Sequence, residues 1–293
     1  MNTISLLHKL KRTPKTTSKE ITHFYNEATE DYSFWSKDFN MHFGYYIPFK
    51  TSLFSRDTML NELNWQVCKR LEMPKQHSLL VDLGCGMGGS MKYILRKYPL
   101  LHIIGVTLSP FQVKEGNKRL QNTNGLILEE DYTQTSFTSN TVDGVYAMES
   151  LCHSGHSYAS LKEAHRILKP GSKLVISDAF LKKPVDQLCV GSHYCYEQLC
   201  EGWSLDSLGN IHEVKEHLYQ IGFKKVTIED ISFRVAPSVL HVPFAITGFI
   251  LKKLFNRKKL KPQSLKNLKG SLFALLSGLH MKSFGYYIVT AEK

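Results

Sequence analysis

None of the six cysteines in this 293-residue chain lies at C-x-x-C spacing from another. In a protein of this length that argues against a zinc ribbon and against a disulfide framework. Cys189, Cys195 and Cys200 gather near His193, but at a spacing that matches no familiar metal site. No metal is expected, and the cysteines read as reduced thiols of a cytoplasmic protein. No uninterrupted run of about 18 apolar residues occurs, so no spanning helix is expected. The basic N-terminus lacks the long apolar stretch of a secretory signal; a targeting peptide and a frayed arm both fit it. No internal repeat is evident.

Acidic residues are scarce at both ends. Residues 1–19 hold five Lys or Arg and no acid; residues 238–293 hold ten, against Glu292 alone. With a net charge of +11 overall, the middle is left slightly negative. That is a poor nucleic-acid groove, and nucleic acid is not an expected partner. Basic ends beside apolar runs suit anionic lipid or an acidic partner. Solvated lysines that serve only solubility fit as well.

What is present is a folded, globular composition, 42% hydrophobic and 22% charged. From residue 79 the chain alternates strand and helix patterns. Strands are expected at 79–83, 102–108, 126–130, 142–148, 173–178, 225–231 and 286–292, and helices at 89–98, 157–168 and 211–221. A further helix is expected from Ser109-Pro110, a cap residue followed by a first-turn proline. Repeating β-α units mean a parallel sheet with helices on both faces.

The central motif is Val81-Asp82-Leu83-Gly84-Cys85-Gly86-Met87-Gly88-Gly89-Ser90. Strand, glycine turn and helix follow in the order a nucleotide-binding loop needs. Glycine permits the tight turn and close ligand approach, and the helix N-terminus offers unpaired amides. The spacing is not the G-x-G-x-x-G of a dinucleotide site. Instead Asp82 stands just before the first glycine, where a carboxylate can hold an amino group. A purely structural turn is the competing reading. After the fourth strand comes Met148-Glu149-Ser150-Leu151-Cys152-His153, at the sheet edge where open α/β folds place their chemistry.

These motifs resemble class I S-adenosylmethionine-dependent methyltransferases, over most of residues 24–230. The 148–153 stretch resembles the E-A-T-C-H segment of sterol C-24 methyltransferases. The aromatic segment running from Phe24-Tyr25 through Tyr32, Trp35, His42 and Phe43 to Tyr45-Tyr46 is similar to one in sterol and tocopherol methyltransferases and cyclopropane fatty acid synthases. The resemblance implies a Rossmann-like α/β sheet of seven strands, the last antiparallel, with an N-terminal helical segment and a C-terminal apolar and basic insert. The divisions expected are a basic arm (1–22), a helical and aromatic segment (23–75), a methyltransferase core (76–235), the insert (236–284) and a final core strand (285–293).

It further implies S-adenosylmethionine as cofactor. Asp82, Gly84, Gly86 and Gly88 would hold its amino acid part, Thr107 and Gln112 its ribose, and Asp131 with Tyr132 its adenine. Most members carry an acid where this chain has Thr107. The implied reaction is methylation, most readily at carbon, of a sterol- or isoprenoid-like acceptor. A carbocation would need aromatic faces, for which Tyr32, Trp35, Tyr45, Tyr46 and Trp203 are candidates. It would also need a base, for which Glu149, His153 and His42 are candidates. Each has a duller reading: aromatics as core, and Glu149 and His153 as an i,i+4 pair. O- or N-methylation of a phenol or amine, cyclopropane-synthase-like chemistry, and an inactive cofactor-binding protein at a membrane are the alternatives. The segment 194–203 is expected to cover the acceptor or to be a plain helix. The insert is readable as a peripheral membrane contact, a lid or a homo-oligomer contact.

Overall fold

A computed structural model describes residues 35–72, 77–155, 157–255 and 262–293. The basic arm, Tyr32 and the basic residues between 256 and 261 lie outside the described residues. One seven-stranded sheet organises the rest, in the order β3-β2-β1-β4-β5-β7-β6. Its strands are β1 (Leu79–Leu83), β2 (His102–Thr107), β3 (Gly125–Glu129), β4 (Val142–Met148), β5 (Leu168–Leu181), β6 (Lys224–Asp230) and β7 (Phe284–Glu292). The first five run parallel, and β7 is antiparallel to both β5 and β6.

The sheet is buried on both faces. Val81, Leu83, Val145 and Ala147 point into one core with Leu161, Ile167 and Leu218. The alternate positions Leu80, Tyr146 and Met148 point into the other, with Leu63, Val67 and Ile94. This period of two, with apolar residues on both sides, is what a parallel strand between helical layers requires. The helices are α1 (Arg56–Arg70), α2 (Gly89–Lys97), α3 (Pro110–Arg119), α4 (Tyr158–Ile167), α5 (Val190–Trp203), α6 (Ile211–Ile221), α7 (Ser232–Val239), α8 (Val242–Phe255) and α9 (Pro262–Leu279). Ser109, Ser157 and Asn210 cap α3, α4 and α6 through their side chains, satisfying amides that the first helical turn leaves open.

Strand β5 is longer than its 173–178 apolar run suggests. It takes in Lys169-Pro170-Gly171 as an irregularity, where the register with β4 shifts. It also continues to Leu181, because β7 pairs with it as far as Phe284. The C-terminal section forms three helices, α7, α8 and α9. α9 crosses α5 so closely that a Cβ on Gly202 would sit 2.5 Å from the Gly270 backbone.

Candidate functional site

The carboxyl ends of the parallel strands open into a cavity of about 420 Å³, roofed by α5, α7 and α9. Its lining is mostly apolar, with a few polar groups delivered by the strand ends, as ligand pockets in such sheets are built.

β1 delivers Asp82, buried at 2% exposure. Its Oδ2 accepts a hydrogen bond of 2.8 Å from Ser90 Oγ, on the first turn of α2. Burial pushes this carboxyl up to about 7, since desolvation penalises the charged form. Gly84 follows with a left-handed backbone, φ +85°, and a Cβ there would lie 2.4 Å from that of Ser150. Only glycine satisfies both conditions. Gly84, Gly86 and Gly89 face the cavity, whereas Gly88 is not among its lining residues; it packs toward Leu120 and Ile127.

Thr107 and Gln112 line the neighbouring wall, and Thr107 Oγ1 donates to Gln112 Oε1 at 2.6 Å. Tyr132 also lines the cavity and donates its hydroxyl to the Ser150 carbonyl at 3.2 Å. Asp131 does not line it. Its Oδ1 accepts from the amide and hydroxyl of Thr133, at 2.8 and 2.7 Å, a turn that holds its own loop.

β4 delivers Glu149, which lines the cavity from a left-handed backbone at φ +47°. For a residue with a Cβ this costs roughly 1 kcal/mol or more and persists only where neighbours enforce it. The enforcement is visible. Its N–H donates to the Ser177 carbonyl at 2.9 Å, and its Oε1 accepts from the Phe43 amide and from the Tyr286 hydroxyl, each at 2.6 Å. Burial raises this carboxyl to about 8, against the pull of those two donors, and the nearby Asp178 raises it further.

His153 lies on the short 3-10 turn Leu151–Ser154 and also lines the cavity. Burial lowers it to about 4, although Asp178 works the other way. His42 reaches the cavity too, but both ring nitrogens meet protein: Nδ1 is 2.6 Å from the Phe43 carbonyl and Nε2 is 3.0 Å from Asn64 Oδ1. Burial lowers it to about 4 as well. Both partners are oxygens, so the neutral ring donates to one of them, and these contacts, with the Asn64 amide donating to Asn40 Oδ1, position the 40–43 segment.

Of the expected aromatics, Trp35 and Trp203 line the cavity. Phe43 lies between them, 5.7 Å edge-on from Trp35 and 6.4 Å from Trp203. Tyr45 and Tyr46 are not among its lining residues. Tyr45 packs against the core that contains Leu63, and the Tyr46 amide donates to the Arg234 carbonyl at 2.7 Å. Two polar residues join the site unannounced. Asp178, at the carboxyl end of β5, is buried and accepts from the Cys152 amide at 3.1 Å; the strand-end rule that singles out Glu149 applies to it equally. Tyr286, on the antiparallel β7, carried no such signal.

Residues 81–176 match a family model described as a methyltransferase domain. With the seven-stranded sheet and the glycine loop, those residues form the core of a Rossmann-like fold of the methyltransferase type. Over 219 residues the chain is 26% identical to a sterol 24-C-methyltransferase of Kluyveromyces lactis, a match covering 73% of this chain and 57% of the relative. Over 260 residues it is 26% identical to an O-methyltransferase of Pyrenophora dematioidea, covering 86% of this chain and 88% of that one. The cyclopropane synthase MmaA2 from Mycobacterium tuberculosis superposes with a TM-score of 0.80 at 14% identity, over 96% of this chain and all of that one. The chain thus spans little more than half the length of the sterol relative, and at 14% identity the structural likeness speaks for the fold.

Proposed function

We propose that the protein transfers the methyl group of S-adenosylmethionine to a lipophilic small molecule, at a carbon of a sterol- or isoprenoid-like acceptor. The residues suit that donor. Asp82 is a buried carboxylate lining the cavity beside the left-handed turn at Gly84, against which Ser150 packs, placed to take the amino group. Gly86, Gly89 and Ser90 border the same end, and Thr107 and Gln112 hold each other along the wall proposed for the ribose. The donor, when bound, supplies a methyl carbon made electrophilic by its sulfonium.

The observation that carries the carbon reading is Glu149: a buried carboxyl, oriented by two donors, at the edge of an apolar cavity faced by Trp35, Phe43 and Trp203. An alkene that takes up a methyl becomes a carbocation. Aromatic faces stabilise that cation without trapping it. Glu149, ionised, removes a proton from an adjacent carbon and leaves a new double bond. Asp178 and His153 flank it, and we assign His153 to keeping the site neutral and shaped. The cover formed by α5 and α9 excludes water, which would otherwise trap the cation. His42, Tyr45 and Tyr46 hold the framework.

O-methylation is the second reading. It is favoured by the fuller two-way coverage of the O-methyltransferase relative, with His153 as the base for a hydroxyl proton. Incubation with methyl-labelled donor and fractionated neutral lipids or phenols separates the two. Label in a new carbon–carbon bond of an isoprenoid product supports the proposal; label only in methyl ethers overturns it in favour of the second.

A further inference from the structure

Among the described residues, no element covers the apolar outer surface of α7 and α8, where Phe233, Leu240, Phe244 and Leu251 are exposed. Ser232–Phe255 is long and apolar enough to cross a membrane, yet here it is two helices that break near Leu240 and His241, and the first is tied to the domain. The Ile231 amide donates to the Tyr286 carbonyl at 2.8 Å, and the Gly44 amide to Ser238 Oγ at 2.8 Å. A straight spanning helix would sever these buried bonds, so the segment suits lying along an interface rather than crossing it.

A second segment meets it. The Tyr46 amide is bonded to the Arg234 carbonyl, and His241 Nε2 lies 2.7 Å from the Leu53 carbonyl. Residues 46–53 are therefore held against the α7–α8 side at both ends. Between these tethers Phe49 stands fully exposed on a left-handed backbone, φ +62°, and Phe54 follows at 96% exposure. This left-handed residue sits in a turn in which the Lys50 and Thr51 amides donate to the Ile47 carbonyl, and the turn holds the ring out from the surface. Phe244, 77% exposed, continues the patch on α8. Phe233, Leu240 and Leu279 are exposed and also line the cavity, so its mouth opens beside the patch.

Charge selects the occupant. Lys252 and Lys253 end α8, and the sequence continues with Arg257, Lys258, Lys259 and Lys261, while 238–291 contains no acid. A second copy of the chain would bring two such strips together, whereas an anionic bilayer would attract them. We propose that the protein docks on an anionic membrane surface through Phe49, Phe54 and Phe244, with the lysines of the α8 end at the headgroups, and that the acceptor enters the cavity from the bilayer. The last clause rests on the lipophilic acceptor proposed above.

The test is flotation of the full chain with vesicles of phosphatidylcholine, alone and mixed with phosphatidylglycerol. The wild type is expected to float with the mixed vesicles, less with phosphatidylcholine alone, and less as salt rises. The double variant Phe49→Ser/Phe54→Ser is expected to partition about tenfold more weakly per ring removed, with its melting temperature and its calorimetric affinity for S-adenosylmethionine retained. Absence of flotation, or equal flotation of the variant, overturns the docking surface. So does a concentration-dependent dimer that this variant abolishes. Loss of donor affinity in the wild type would instead overturn the methyltransferase reading, whatever the flotation shows.

Discussion

The Tyr286 hydroxyl lies 2.6 Å from Oε1 of Glu149, although 137 residues separate them and their strands do not pair. Strand β5 lies between them: it holds Glu149 through the Ser177 carbonyl and Tyr286 through the register Ala179↔Tyr286. Because β7 runs against the parallel strands, its first residues meet the carboxyl ends of the others.

Removing that hydroxyl takes away a bond that favours ionised Glu149. Tyr286→Phe is therefore expected to move the rising limb of the pH–kcat profile upward from about 8 by roughly one pH unit, with little change in donor affinity. An unmoved limb would separate Tyr286 from the titration of Glu149.

Glu149→Gln keeps the oxygen that accepts from Phe43 and Tyr286 but cannot take a proton. Turnover is expected to fall by roughly 10²–10⁴-fold, with calorimetric donor affinity retained. Normal turnover would remove Glu149 from the reaction.

Asp82→Asn keeps an acceptor for Ser90 but loses the charge. Affinity for S-adenosylmethionine is expected to fall roughly 10–100-fold. In the wild type, affinity should weaken as pH falls below about 7, where the free carboxyl becomes protonated. Titration calorimetry across pH 6 to 8 checks both.

The buried groups also set how stability follows pH. Asp82 and Glu149 are raised in the fold, so the native state binds their protons more tightly and stability declines as pH climbs from the ordinary carboxylate range to about 7 and 8. His42 and His153 are lowered to about 4, so their contribution grows as pH rises from 4 to 6.5. The two slopes oppose each other below 6.5, and above it only the carboxyls act. Urea unfolding of the ligand-free protein is expected to show stability falling between pH 6.5 and 8, and Glu149→Gln should flatten part of that fall.

The crossing of α5 and α9 leaves no room for a methyl group. A Cβ on Gly270 would lie 2.4 Å from the Trp203 ring, so Gly270→Ala displaces either the helix or that ring. A loss of about 1–3 kcal/mol is expected in urea unfolding, with acceptor KM rising and donor affinity retained.

Much of this was legible without coordinates. The strand and helix order matches the expected pattern closely, because period-two burial, cap residues and the glycines that carry positive φ are local properties. Thr107 and Gln112 could be placed at the cavity because they end one strand and begin the next helix. Tyr45, Tyr46 and Asp131 could not be told from lining residues, since which face of an aromatic loop turns inward depends on what packs behind it. His42 reads as a candidate base in the sequence, and only the folded chain brings Asn64, from α1, to its second nitrogen.

Local chemistry in the chain thus determined the β-α order, the acid-then-glycine bend and the presence of Glu149 and His153 at a strand end, because each depends on neighbours within a few residues. Only the tertiary structure decided that Tyr286 and Asp178 join Glu149, that α7 and α9 cover the cavity, and that the 46–53 segment lies against the α7–α8 side. Those depend on the antiparallel entry of β7 and on contacts between residues far apart in sequence, which no periodicity records.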